Sequence, residues 1–273
     1  MSSVSKAMAA VDRAHYIPGL IYVRSENTGW LIPLHRDEEP DRWRAEVDQD
    51  APVVTAVAPD PRAPAEILEP ATGRGYESTS SSTAPWLMAR MLDALQLEPG
   101  MRVLEIGTGT GYNAALVDHL VGPSGHVVSV EVTPEVATRA RAALVRDGRH
   151  VTVVTGDGAE GWLPGAPYDR IIATASVASI PPAWLQQTCP GGIILAPLAD
   201  TVHPAGPLAR LAVNADGTAQ GACLGEAHFM PLRSDSVTTA PQQAEGTADQ
   251  IGINVDTTGT PRLWRLAPDN AAG

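Results

Sequence analysis

The apolar positions of this chain follow two periods, and the change between them divides it. In PWLMARMLDALQLEPG, residues 85–100, Trp86, Leu87, Met91, Leu92 and Leu95 fall at helical spacing, with Pro99 and Gly100 to end the helix. From 101 onward, short β-branched runs alternate with helical patterns. MRVLEI, HVVSVEV, VTVVTG, YDRIIAT and GGIILAP read as buried strands, and YNAALVDHL, PEVATRARAALV and PPAWLQQT as helices among them. Such alternation predicts an α/β fold, a parallel sheet covered by helices on both faces. Two further runs, ARLAVNADG and AQGACLGEA, follow without an intervening helix and predict an antiparallel hairpin at the sheet edge.

The flanks lack this regularity. Residues 1–84 mix short apolar runs, GLIYV and GWLIPL, with proline and acid clusters, and end in a row of hydroxyls. Residues 233–273 are expected to form a polar tail, with RLWRL docking back on the body. The expected organisation is an N-terminal substrate-recognition region over 1–84, an α/β domain over 85–232, and the tail.

Composition narrows the function. At 273 residues and 44% hydrophobic, the chain can bury a substantial core. The net charge of −12 and the lack of a Lys/Arg run argue against a nucleic-acid partner, which needs clustered cations. Neither a signal-peptide core nor a membrane-length apolar run is visible, so a cytoplasmic protein is expected. Cys189 and Cys223 have no metal or disulfide spacing and read as reduced, and no metal is expected.

The first strand of the α/β region runs into VLEIGTGTGYNAAL, with Gly107, Gly109 and Gly111 at alternate positions. A strand-to-helix turn uses glycine where φ is positive and where backbone must approach a ligand. A dinucleotide fingerprint would need glycine at 112, where Tyr112 stands. Glu105, two residues before the first glycine, would repel a pyrophosphate and attract a cationic amino-acid group. Glu131 closes the next strand, where an acid can accept hydrogen bonds from ribose hydroxyls; Asp157, before Gly158, ends the third and can accept from an adenine amino group. Three acids at the carboxyl ends of successive strands point to S-adenosylmethionine, which carries an ammonium and a sulfonium but no phosphate.

These segments, with PYDRIIATASVASIPPAWLQQ and PGGIILAP, resemble the protein-L-isoaspartate O-methyltransferases over most of 84–200. RAHYIP is similar to that family's R-x-x-F-V-P, with Tyr16 in place of Phe. The resemblance implies a Rossmann-like class I S-adenosylmethionine-dependent methyltransferase, with a mostly parallel sheet and an antiparallel edge hairpin. It implies cofactor contacts from Ser81, Glu105, Gly107, Thr108, Gly109, Gly111, Tyr112, Asn113, Glu131, Val132, Gly156, Asp157, Gly158 and Thr174. The family's T-I-S-x-P segment aligns with Ser81 to Pro85, so the hydroxyl row is expected to be a substrate-facing loop, with Thr83 and Ser82 as catalytic residues. Thr83 replaces the family's serine. The long segment before it, carrying PLHRDEEPDRW and DAPVVT, resembles the branch found beside ribosomally made peptide natural products.

A carboxylate acceptor is already ionised near pH 7, so methyl transfer to it needs no general base. What it needs is alignment and exclusion of water. The reading preferred from the sequence is methylation of an Asp in a precursor peptide, leading to succinimide or isoaspartate; general isoaspartyl repair is the alternative. The partner is then a peptide or protein containing Asp or isoAsp, with Trp30, Trp43 and Arg44 as candidates to grip it. A NAD-dependent oxidoreductase is opposed by Glu105 and Tyr112, and nucleic-acid methylation by charge. A cofactor-binding accessory protein without catalysis is a further class.

Overall fold

The computed structural model describes residues 2–199, 206–233 and 247–265. The chain enters through α1 (Ser3–Ala10), capped by the Ser2 hydroxyl on the Ser5 amide, and a 3₁₀ turn at Arg13–His15. Then come β1 (Leu20–Arg24), β2 (Leu31–His35), α2 (Pro40–Asp48), β3 (Val53–Pro59) and β4 (Tyr76–Ser82). These four strands form a separate antiparallel sheet in the order β2-β1-β3-β4. Ile21, Val23, Leu34 and Val53 pack beneath it against Trp43 and Val47 of α2. Trp43 is 4% exposed and its indole donates to the Pro18 carbonyl, so it is a core residue and not a peptide grip.

The hydroxyl row is a strand rather than the expected loop. β4 pairs antiparallel with β3, Val53 opposite Ser82 and Val54 opposite Ser81. Small β-compatible Ser and Thr side chains allow this, and the apolar pairing partner lies in β3, invisible from the row itself.

The second sheet follows with α3 (Pro85–Leu95), β5 (Arg102–Ile106), α4 (Tyr112–Val121), β6 (His126–Glu131), α5 (Pro134–Arg146), β7 (Val151–Thr155), β8 (Tyr168–Ala173), α6 (Pro182–Gln187) and β9 (Thr188–Pro197). α3 stops at Leu95 because Gln96 takes a left-handed cap, before the expected Pro99. Strands β9-β8-β5-β6-β7 lie parallel in that order. Because β5 has β6 on one side and β8 on the other, its carboxyl end is the switch point where such sheets open a crevice. Val103 of β5 faces the layer of α1, α3 and α4, while Leu104 and Ile106 face the layer containing Trp184 of α6.

The expected edge hairpin is present as β10 (Pro207–Val213) and β11 (Ala219–Glu226), but the sheet continues through β12 (Ile251–Val255) and β13 (Pro261–Arg265). Part of the segment expected as polar tail is therefore strand. Ile251, Ile253 and Val255 alternate inward and are buried, a period-2 signal only three residues strong. The Trp264 indole lies over Gly252, where a Cβ would come within 2.3 Å of it, as the docking of RLWRL requires. Residues 234–246 and 266–273, the rest of that expected tail, lie outside the described residues. Among the described residues no helix is long and apolar enough to cross a membrane.

One side chain ties the hydroxyl strand to α2 and to the approach of β3. Arg13 is buried, and its guanidinium donates to the carbonyls of Val47, Gln49, Ala51, Ser82 and Thr83 and to the Ser82 hydroxyl, at 3.0–3.2 Å. Two of those carbonyls, Val47 and Gln49, end α2, where the helix dipole favours a cation. Arg13→Leu should leave several buried acceptors unpaired and cost about 3 kcal/mol or more. Urea unfolding of the variant against the parent checks this; a change below about 1 kcal/mol would show that the clamp is not needed.

Candidate active site

The carboxyl end of β5, the hydroxyl strand β4 and the segment 226–233 enclose a cavity of about 540 Å3. Its floor is the glycine turn. Gly107, Gly109 and Gly111 have φ of +90°, +53° and +87°, a region side chains rarely adopt. A Cβ on Gly107 would stand 2.8 Å from the Thr174 hydroxyl, which donates to the Gly107 carbonyl at 2.6 Å. A Cβ on Gly109 would stand 3.6 Å from the Ser81 carbonyl, so the hydroxyl strand lies directly on the turn.

Glu105 does not sit where the sequence suggested. It is fully buried behind the turn and does not line the cavity. Its Oε1 accepts from Asn113 at 2.7 Å and its Oε2 from the Ser129 hydroxyl, which also bonds Thr108 at 2.6 Å. Glu105 thereby ties the first turn of α4 to β6 beneath the glycines. Burial pushes its carboxyl up to about 7, opposed by those two donors and reinforced by the nearby charge of Glu131.

Glu131 does reach the cavity wall. Each of its oxygens takes one backbone amide at 3.0 Å, Gly109 on Oε2 and Thr133 on Oε1. A carboxylate offers about four acceptor sites, so acceptor capacity remains for hydroxyls. Thr108, Tyr112, Asn113, Val132, Gly158 and Thr174 also line the cavity. The Asn113 Oδ1 is buried with no partner among the described residues. Gly158 is closely faced by Ile106 and Leu232, leaving no room for a Cβ there. Gly156 and Asp157, by contrast, fall outside the lining; a carboxylate oxygen of Asp157 caps the 3₁₀ turn Gly158–Glu160 through the Ala159 amide.

Residues 78–83 line the cavity consecutively. A strand facing a cavity with one side would contribute alternate residues, so this one presents its edge. The Ser82 hydroxyl is buried and held by Arg13, whereas the Thr83 hydroxyl makes no hydrogen bond among the described residues. Thr83 is thus one of the cavity hydroxyls left available among the described residues, next to a Ser82 that Arg13 anchors. Of the other proposed peptide contacts, Trp30 is half-exposed beneath Arg74, and Arg44 pairs with Asp48 at 2.7 Å, both away from the cavity.

The sequence reading missed the far wall. Residues 226–233 cross the mouth; Arg233 there donates to the Thr133 hydroxyl at 3.0 Å and comes within 3.9 Å of Glu131. The signal available was FMPLR, an apolar run without strand or helix period immediately after the last predicted strand. Trp86, half-exposed with Arg90 5.6 Å from its ring, forms the lip.

Comparison with known proteins adds the decisive observation. The protein-L-isoaspartate(D-aspartate) O-methyltransferase (PCMT) model matches residues 68–237, which include the hydroxyl strand, the glycine turn and the segment 226–233. The chain belongs to the PCMT family. It is 44% identical over 147 residues to the protein-L-isoaspartate O-methyltransferase of Ignicoccus hospitalis, covering 50% of this chain and 70% of that one. With the Methanopyrus kandleri protein of the same name it shares 37% over 190 residues, 67% of this chain and 74% of that one. A solved protein-L-isoaspartate O-methyltransferase structure superposes at a TM-score of 0.63 with 26% identity, over 86% of this chain and 62% of that one. A Plasmodium falciparum structure solved with S-adenosyl-L-homocysteine shares the fold at a TM-score of 0.57 and 15% identity, over 85% and 91%. Fold and family are those of an S-adenosyl-L-methionine-dependent methyltransferase.

Two outcomes follow from this geometry. Gly107→Ala, strained at its φ and pressed against Thr174, should abolish binding of S-adenosylhomocysteine in isothermal titration. Because the Glu105 carboxyl titrates above its ordinary value of 4.5, the folded protein keeps a proton that the unfolded chain has released. Stability should therefore fall as pH rises from about 4.5 to about 7. Glu105→Gln, which can still accept from Asn113, should flatten that slope in urea unfolding measured across the range.

Proposed function

We propose that this protein methylates the free carboxylate of isoaspartyl residues in peptides or proteins, using S-adenosyl-L-methionine. The observation that carries the reading is the meeting of two walls in one cavity: a hydroxyl strand edge lying on a glycine turn, with the Ser81 carbonyl against Gly109. The residues present fit the cofactor. Gly107 and Gly109 bring bare backbone to the floor, whereas Gly111 turns toward Leu144 and Ala140 of α5. Glu131 keeps acceptor capacity for hydroxyls, and Asn113 has a buried oxygen without a partner among the described residues. Gly107, Gly109, Thr108, Glu131, Val132, Gly158 and Thr174 would hold it, with Glu105 holding the turn from behind. When bound, the cofactor supplies a methyl group made electrophilic by its positive sulfur.

Thr83 donates its hydroxyl to one oxygen of the substrate carboxylate and leaves the other free to react. Arg13 fixes Thr83 through its carbonyl and fixes Ser82 at both carbonyl and hydroxyl, so the donor is aimed before substrate arrives. Leu87, Met88, Phe229 and Met230 wall the cavity with apolar surface that excludes water. The seven histidines of the chain have no step to perform, since the acceptor is already an anion. When the next backbone nitrogen attacks the ester carbonyl, the C–N bond forms as the C–OCH₃ bond breaks, and methanol leaves with the nitrogen's proton, giving a succinimide. The unesterified carboxylate has no comparable leaving group.

A second reading, methylation of an Asp in a dedicated precursor peptide, is favoured by one observation. Strands β1 to β3 and α2 precede the residues matched by the family model, and the three strands form one sheet with the hydroxyl strand. The names of the relatives favour the isoaspartyl reading, which reverses the order preferred from the sequence.

Mass spectrometry of matched isoAsp and Asp peptides of unrelated sequence tests the activity. A 14-Da gain on isoAsp alone is expected, where 14 Da is roughly one CH₂; a gain on Asp confined to one acidic precursor would establish the second reading. Thr83→Ala should lower kcat about 10- to 100-fold, with a smaller change in KM, because one oriented donor is lost.

A further inference from the structure

A second cavity, of about 390 Å3, lies on the other side of the glycine turn, between α5 and the N-terminal sheet. It shares Ser80, Gly109 and Thr110 with the main cavity, so the two are separated only by the crossing of β4 over the turn. Its charge is opposite to that of the molecule. The chain carries 31 Asp and Glu against 19 Lys and Arg, yet this lining contains Arg36, Arg139 and Arg146 and no carboxylate.

Arg139 and Arg146 stand seven residues apart on α5, about two helical turns, and so share a face. Arg36 comes from the opposite wall, where its guanidinium lies over Gly19 and beside Trp43. Arg139 makes no hydrogen bond or ion pair among the described residues, and Arg146 uses one donor on the His15 carbonyl. Of the nearby acids, Asp147 accepts from Tyr16 and Arg149, and Asp37 makes a long, solvent-exposed pair with Arg36 at 3.9 Å. Arg139 and Arg146 are left as the arginines with donors to spare. Guanidinium groups converging from two walls, with spare paired donors, match carboxylates in geometry and charge.

We propose that this cavity is a subsite for acidic side chains flanking the methyl-accepting residue, so that the enzyme prefers substrate peptides with nearby Glu or Asp. The inference rests on the reading of a peptide as substrate. It concerns a wall formed largely by residues before position 68, where the family match begins.

The test uses pairs of isoaspartyl peptides in which two Glu, placed on either side of the acceptor, are exchanged for Gln. For the parent protein at low salt, the acidic member should show a KM about fivefold lower, a difference that fades as salt rises. Arg139→Gln should shrink the difference and Arg139→Glu remove it, while kcat and KM for the neutral peptide stay unchanged. Equal KM values for the parent protein, or a preference that survives Arg139→Glu, would overturn the subsite. Fluorescence anisotropy of the same sequences with Asn at the acceptor position reads binding without chemistry. Acidic peptides bound no tighter than their Gln counterparts would reject the subsite whatever the activity. Tighter acidic binding without any methylation would keep the subsite and reject the isoaspartyl reading.

Discussion

A single buried guanidinium fixes the geometry of the hydroxyl strand. Arg13 forms no ion pair among the described residues; its charge is met by five backbone carbonyls and one hydroxyl drawn from α2, the approach to β3, and β4, with Asp48 and Asp50 adding longer-range attraction. Burying an unpaired cation is expensive, and only convergent dipoles make it tolerable. That arrangement admits little slack. If β4 slid along β3, Arg13 would lose the Ser82 and Thr83 carbonyls together, so the hydroxyl strand has one register in which the clamp closes. The side chain thereby converts a stretch of Ser and Thr, weakly specifying by itself, into a defined edge.

The donor side depends on a different buried group with the same logic. Glu105 sits in the interior with both oxygens satisfied, linking the first turn of α4 to β6 below three left-handed glycines. Its distance from the cavity surface is the reason its role looked different in the sequence. The acid before a glycine turn is visible as a charge, but whether it points into the crevice or under it depends on how tightly α4 packs. Here Asn113 reaches back across the turn and draws it under.

Much of the α/β unit was legible because its signals are local and strong. Runs such as VVSVEV and GGIILAP can only be strands at that length, and the helices between them carry clear apolar faces. The glycine spacing located the turn for the same reason. The N-terminal sheet was not legible, since β1 and β2 are five residues each, and the seating of their hairpin against β3 is decided by contacts around Trp43 rather than by pattern. The hydroxyl strand read as a loop because Ser and Thr serve both, and the deciding partner lay more than twenty residues upstream in Val53 and Val54. β12 and β13 escaped because two five-residue strands in a polar context leave too few apolar positions to show a period.

β4 belongs to two structures at once: it is an edge of the N-terminal sheet and the lid of the glycine turn. The family match takes in β4 but none of β1, β2 or β3. The strand is therefore a seam between the N-terminal sheet and the glycine turn. A shift in β3 reaches the hydroxyls through their pairing with it, and reaches Gly109 through the Ser81 carbonyl. Any movement of the small sheet is therefore felt at once by the hydroxyl row and by the backbone turn beneath it.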